Sequence, residues 1–152
     1  MPERDEAPQR DFIQQHSRWP EPPDDQLPVA PDELADHLLR LACLNYAHDR
    51  PEAPVRARQL IAEHPELATA TVFTMAASGA DAELAALLAE QPALANSSGG
   101  PFDWPLLLYL TYGRLGDAPG RSAVRTAEVL LAVGADPDAG FCGRGRCPPS
   151  PP

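Results

Sequence analysis

Leu60-Ile61-Ala62-Glu63-His64-Pro65-Glu66-Leu67-Ala68 returns as Leu87-Leu88-Ala89-Glu90-Gln91-Pro92-Ala93-Leu94-Ala95, displaced by 27 residues at every position. Both copies hold a pair of large aliphatic residues, a short polar stretch, a proline that cannot continue a helix, and then Leu-Ala. Segments that agree in apolar pair, breaker and following dipeptide read as equivalent parts of consecutive structural units. Each copy places a helix end just before its proline, so the middle of the chain reads as short helices separated by tight turns.

Caps and breakers set the remaining boundaries. The helix carrying the first copy has Pro54 in its first turn and points Ala57, Leu60 and Ile61 inward. Before it, a helix begins after Pro31 with Asp32 as its cap, lines up Leu34, Leu38, Leu41 and Ala42 on one stripe, and ends near Tyr46. Residues 69–78 read as a third helix, with Val72, Phe73 and Ala76 grouped and Gly79 suited to a left-handed C-terminal conformation. Asp81 caps the fourth, residues 82–91, which carries the second copy. A fifth starts at Trp104-Pro105 and runs through Leu106 to Tyr112 before Gly113 ends it. The sixth is capped by Ser122, offers Val124, Ala127, Leu130 and Leu131 as its apolar edge, and closes at Gly134. Helices of two or three turns cannot bury their apolar faces alone and must stack on the neighbouring pair. The expected fold class is all-α, a short α-solenoid of about three helix pairs.

The ends have a different composition. Of 152 residues, 19 are proline, concentrated in residues 2–31 and 148–152. Residues 1–31 offer only Phe12, Ile13, Trp19, Leu27 and Val29 for burial, too little to offset the entropy of ordering them, and read as a disordered leader. Asp11-Phe12-Ile13 and Arg18-Trp19-Pro20 are its only candidate docking motifs, and a solvated tail is the simpler reading. The organisation is thus a leader over 1–31, a repeat domain over 32–140 and a Gly/Arg/Pro-rich disordered tail over 141–152.

The formal net charge is −10, and every Lys/Arg position is arginine. Those arginines are scattered rather than gathered on a basic face, which argues against nucleic acid as a partner. Lysine-free, Ala- and Arg-rich composition looks like the coding bias of a GC-rich genome. Residues 1–18 lack the apolar stretch of an export signal. The longest apolar run, Trp104 to Leu110, falls far short of a membrane span. Cys43, Cys142 and Cys147 form neither an even disulfide framework nor a metal-ligand spacing, so a reducing, cytoplasmic setting is expected.

Leu130-Leu131-Ala132-Val133-Gly134-Ala135-Asp136-Pro137-Asp138 resembles the closing segment of an ankyrin repeat, whose second helix ends in paired leucines followed by Gly-Ala-Asp and a turn. Gly99-Gly100-Pro101-Phe102-Asp103-Trp104-Pro105-Leu106 is similar to the family's hairpin and the start of its next first helix. Gly79 also precedes Gly113 by 34 residues, near the family period of about 33. The resemblance implies three ankyrin-like units across Asp32 to Gly140 and a role in binding another protein. It also has departures. Where the family has Thr-Pro-Leu-His, this chain has Trp104-Pro105-Leu106-Leu107, without the threonine and histidine that would cross-brace the unit, which must then rely on packing. Residues 115–120 lengthen the last unit, and the first two units lack both the Thr-Pro opening and the Gly-Ala-Asp close. After Gly140 the tail offers nothing to lay over Leu106, Leu110 or Leu131, as in a truncated or frame-shifted version of a longer repeat protein.

Little in the sequence points to chemistry. His37 and Cys43 stand six apart on a helix and point to opposite sides, with His48 past its end; a buried thiol and two solvent-facing histidines is the simpler reading. Cys142 and Cys147 supply only two of four zinc ligands. Asp24, Asp25, Asp32, Glu33 and Asp36 read as a solvated charge run. With no phosphate loop and no nucleophile elbow, no catalytic residue, cofactor or metal is assigned. The surface singled out for a partner is the hairpin with the exposed side of the fifth helix: Asn96, Phe102, Asp103, Trp104, Tyr109 and Tyr112, aromatic anchors being favoured at hot spots. The competing expectation is that Phe102 and Trp104 only pack one unit on the next. The leading function is a non-enzymatic protein-interaction module with an unidentified protein partner, neither nucleic acid nor membrane. A small hydrolase or transferase on a helical scaffold, or a remnant without activity of its own, are the alternatives.

Overall fold

The structure is a computed structural model and describes residues 31–44 and 50–139; the leader with its docking motifs, His48, and the tail with Cys142 and Cys147 lie outside the described residues. Six helices account for most of it: α1 (Pro31–Ala42), α2 (Ala53–Glu63), α3 (Val72–Ser78), α4 (Asp81–Glu90), α5 (Leu106–Tyr112) and α6 (Ala123–Ala132). The architecture is mostly helical, and among the described residues the only strand pair is β1 (Ser98–Gly99) with β2 (Trp104–Pro105), antiparallel.

The repeated nine residues fold identically. Each helix stops at its glutamate, and the residue before the proline takes nearly the same backbone angles, φ −129° and ψ 74° at His64, φ −133° and ψ 70° at Gln91. A 3₁₀ turn follows in both cases, Pro65–Thr69 and Pro92–Asn96. The hydrogen bonds match too: His64 N–H donates to Leu60 O at 2.8 Å and Gln91 N–H to Leu87 O at 2.9 Å, while Leu67 N–H reaches His64 O and Leu94 N–H reaches Gln91 O. Proline has no N–H to give and a fixed φ, so it opens each 3₁₀ turn at no hydrogen-bonding cost.

That turn moves the start of α3 from the expected Thr69 to Val72. Thr71 caps it, its Oγ1 accepting from Thr74 N–H at 3.1 Å while Thr74 Oγ1 accepts from Thr71 N–H at 2.9 Å. Ala80, not Asp81, holds the cap position of α4, with Asp81 inside the first turn where a negative charge suits the helix dipole. Gly79 and Gly134 take the left-handed conformations expected of them, and Ser122 caps α6.

Helix α1 packs on α2 and α3, α3 on α5 and α4, and α4 and α5 on α6. The buried side chains fall into two clusters. One joins Leu38 and Ala42 of α1 to Ala57, Leu60 and Ile61 of α2 and Leu67 of the first 3₁₀ turn. The other runs from Leu39 and Cys43 through Ala76 and Ala77 to Leu84, Leu88, Tyr109 and Leu130. Successive residues of α1 thus serve different clusters.

Helix α1 ends at Ala42 rather than near Tyr46, because its backbone is drawn into another partnership. Leu44 N–H donates to Tyr112 O at 2.8 Å and Arg114 N–H to Ala42 O at 2.9 Å, pairing Cys43 with Gly113. A Cβ on Gly113 would stand 2.9 Å from both Ala77 O and Tyr109 O, so only glycine allows this approach. The extra residues of the last unit continue the link: Leu115 is buried in the first cluster, and Ser122 N–H donates to Gly79 O at 2.8 Å. The end of α5 therefore touches the first helix pair as well as the second.

Candidate functional site

The hairpin and the helix behind it were the surface singled out for binding. Ser98 pairs with Pro105 and Gly99 with Trp104, and Asp103 N–H closes the tip on Gly100 O at 3.3 Å. The tip folds inward. Phe102 stacks on Trp104 with ring centroids 4.5 Å apart, and Trp104 lies 5.5 Å from the Tyr109 ring and 5.3 Å from that of Tyr112. Tyr109 also meets Phe73 of α3 at 5.3 Å. Offset and tilted pairs at such separations are the favourable arrangements of aromatic rings.

Tyr109 is the centre of the group and is fully buried. Its hydroxyl donates to Gly99 O at 2.7 Å and accepts from Phe102 N–H at 3.2 Å, so one side chain ties the first strand of the hairpin to its tip. The glycine pair is what admits it: a Cβ on Gly99 would fall 2.6 Å from the Phe73 ring, and one on Gly100 would collide with the Tyr109 hydroxyl. The unit expected to rely on packing alone is cross-braced after all, by a tyrosine on α5 instead of a threonine and histidine.

This placement revises the candidate list. Phe102 and Trp104 are buried, as the packing alternative expected, and Tyr109 lies on the inward side of α5, not the exposed one. Tyr112 is half-buried against Trp104. Asn96 is exposed but engaged: its Nδ2 donates to Gly134 O at 2.9 Å and its Oδ1 accepts from Asp136 N–H at 2.8 Å, joining the second 3₁₀ turn to the close of α6. Asp103 is exposed at the tip with φ 55°, among the described residues the only non-glycine at positive φ. Such a conformation is uncommon for a side-chain-bearing residue, and aspartate is among the types that tolerate it best. The structure brings Phe102, Trp104, Tyr109 and Tyr112 together as a core with Asp103 at the accessible tip, and ties Asn96 instead to the close of α6.

The apolar edge expected for α6 is also revised. Leu130 is buried and Ala127 half-buried, whereas Val124 is 66% exposed and Leu131 49% exposed. Thr126 takes the inward place, possible because its Oγ1 donates to Ser122 O at 2.8 Å and leaves no polar group unsatisfied. Leu106 and Leu110, expected to lack a cover, are buried within the second cluster. The outward direction of Val124 and Leu131 escaped sequence reasoning; the threonine at 126 was the signal, since a threonine on a helix can bury itself by bonding back one turn.

Two groups have displaced acidities. Burial pushes the Cys43 thiol up to about 12, an effect that the Arg114 charge only partly offsets. Its Sγ points at Tyr109 O, 3.9 Å away. Burial likewise holds the Tyr109 phenol well above its ordinary value, against the opposing hydrogen bond from the Phe102 backbone. Both stay protonated at neutral pH, so Cys43 is no thiolate nucleophile there. Among the described residues no three His, Cys, Asp or Glu side chains gather as a metal site, and no helix is long and apolar enough to cross a membrane. No family model, curated protein or solved structure matches the chain.

Proposed function

We propose that the chain is a divergent ankyrin-like solenoid of three helix pairs, α1–α2, α3–α4 and α5–α6, serving as a non-enzymatic module that binds another protein in the cytoplasm. The observation that carries this reading is the helix order: α1, α3 and α5 touch in series as first helices, α4 and α6 touch as second helices, and a hairpin opens the third pair. Duplicated turns with matching backbone angles at His64 and Gln91 support equivalent units. The direct link between the first and third pairs departs from a row in which each unit meets only its neighbours. It is made by residues 112–115, from the end of α5 to the first residue of the insertion, and leaves the order of the pairs intact.

In this reading the aromatic core holds the hairpin rigid and the tip makes contact. Asp103, with Tyr112 beside Trp104, is the centre of the partner surface, and Asn96 holds its base in place. A rigid tip loses little entropy on docking. The test is affinity capture from cell extract with mass-spectrometric identification, comparing the wild-type chain with Asp103→Arg and Tyr112→Ala. A protein retained by the wild type and lost from both variants, at unchanged helical circular dichroism, supports the module; equal retention by all three chains removes this surface from consideration.

A further inference from the structure

Among the described residues, the buried members of the first cluster come from α1, α2 and the 3₁₀ turn at Pro65–Thr69, with one addition from farther along the chain, Leu115. The first helix pair thus carries a core of its own, into which a single side chain of the third pair reaches. Its other ties to the rest of the molecule involve smaller groups. Leu39 and Cys43 of α1 enter the larger cluster, whose buried members from α3 are only Ala76 and Ala77, and the Ser78 hydroxyl donates to Ala68 O at 2.9 Å. An alanine methyl buries far less apolar area than a leucine side chain, so Leu115 carries a large share of what holds the pair in place.

Leu115 arrives on a segment fastened on both sides of it. Ahead of it, Arg114 N–H donates to Ala42 O at 2.9 Å, Leu44 N–H donates to Tyr112 O at 2.8 Å, and the Arg58 guanidinium of α2 donates to Arg114 O at 3.1 Å. Behind it, the chain turns away from the first pair. Ala118 and Arg121 bond each other, Asp117 Oδ1 accepts from Ala123 N–H at 3.0 Å at the start of α6, and Ser122 N–H donates to Gly79 O at 2.8 Å at the end of α3. If the first pair moves away, all of these later bonds survive, while the three earlier bonds and the Leu115 contact break. We propose that residues 112–115 are a latch on the first helix pair, and that α1 and α2 swing open as one body when it releases. Cys43, 1% exposed and paired with Gly113, lies in the seam the latch closes, so its thiol meets solvent only when the pair opens.

Hydrogen exchange and thiol labelling of the full chain test the proposal, in a Cys142→Ser/Cys147→Ser background that leaves Cys43 as the one thiol. Opening exposes the Cys43 thiol and the amides of α1 and α2 together, so the two measurements are expected to give one shared protection factor, lower than that of α4 and α6. Leu115→Ala lowers that shared factor about 30-fold or more, the effect of truncating a buried leucine, and leaves α4 and α6 within about threefold. Leu115→Val, a smaller cut that the fold survives, lowers it about fourfold. A Leu115 effect spread evenly over α1, α2, α4 and α6 overturns the proposal, because the residue would then belong to one global core. So does equal protection of all four helices in the parent chain, or Cys43 labelling that does not follow exchange in α1 and α2.

Discussion

The two copies of the repeated segment share their local structure and differ in what surrounds it. In the first, Leu67 is buried and the chain passes through Thr71 directly into α3, with Ser78 Oγ donating back to Ala68 O at 2.9 Å. In the second, Leu94 is only half-buried, and the chain leaves through Asn96 into the hairpin, held to the close of α6. The apolar pairs exchange emphasis as well: Leu60 and Ile61 are 5% and 8% exposed, whereas Leu88 is 1% exposed and Leu87 half-buried. A short sequence thus dictates how the helix ends, but the neighbouring pairs decide which of its aliphatic residues bears the load.

Matched truncations test that division. Leu88→Ala opens a cavity in the larger cluster and is expected to cost about 4 kcal/mol, while Ile61→Ala, at the equivalent position in the smaller one, costs about 2 kcal/mol. Urea unfolding monitored by circular dichroism gives both values. Equal losses would mean that the clusters bear on folding alike and that the repeated segment, rather than its setting, fixes the contribution.

Cys43 and Tyr109 both lie in the larger cluster, and both groups ionise less readily when folded. A raised folded pKa means that the unfolded chain releases its proton first as pH rises. The stability tied to Cys43 is therefore fully present below about pH 9 and drains away between pH 9 and about 12. By pH 11 the loss from Cys43 is about 3 kcal/mol. No lysine titrates in that window to mask it. Urea midpoints should fall steeply from pH 8 to pH 11 in the wild type and less in Cys43→Ala; an identical fall in both would show that the thiol is not held dry in the core.

Local signals were readable where a single residue decides the backbone: Pro65 and Pro92 at helix ends, Gly79 and Gly134 in left-handed closures, Ala57, Leu60 and Ile61 as an inward edge. The direction in which α5 and α6 face was not, because it depends on partners distant in the chain. Tyr109 and Val124 are both apolar-bodied residues on short helices, yet one is fully buried and the other mostly exposed. Gly99-Gly100 carried a partial clue, since adjacent glycines at a hairpin leave room for a bulky neighbour, but nothing in the sequence says whose ring fills it. Tyr109→Phe keeps the ring and removes only the brace, leaving Phe102 N–H and Gly99 O without their bond. A loss of about 2 kcal/mol is expected, read as a lower urea midpoint with near-ultraviolet aromatic signals retained. A loss under 0.5 kcal/mol would mean that ring packing alone holds the hairpin.

The smallest effect separates the copies most cleanly, because Thr69 and Asn96 occupy the same place in the two 3₁₀ turns. Thr69 Oγ1 donates at 3.4 Å to Glu66 O within its own turn, so Thr69→Ala removes a weak local bond and is expected to cost under 0.5 kcal/mol. Asn96 makes two bonds to a segment about 40 positions away. Both are solvent-accessible, which limits the cost of Asn96→Ala to about 1 kcal/mol. Its loss should nevertheless be localised: hydrogen exchange is expected to speed up at Gly134 to Asp136 and in the last turn of α6, while α1 and α2 keep their protection. Uniformly faster exchange would show that the bonds of Asn96 stabilise the whole fold rather than fastening one unit's turn to the next.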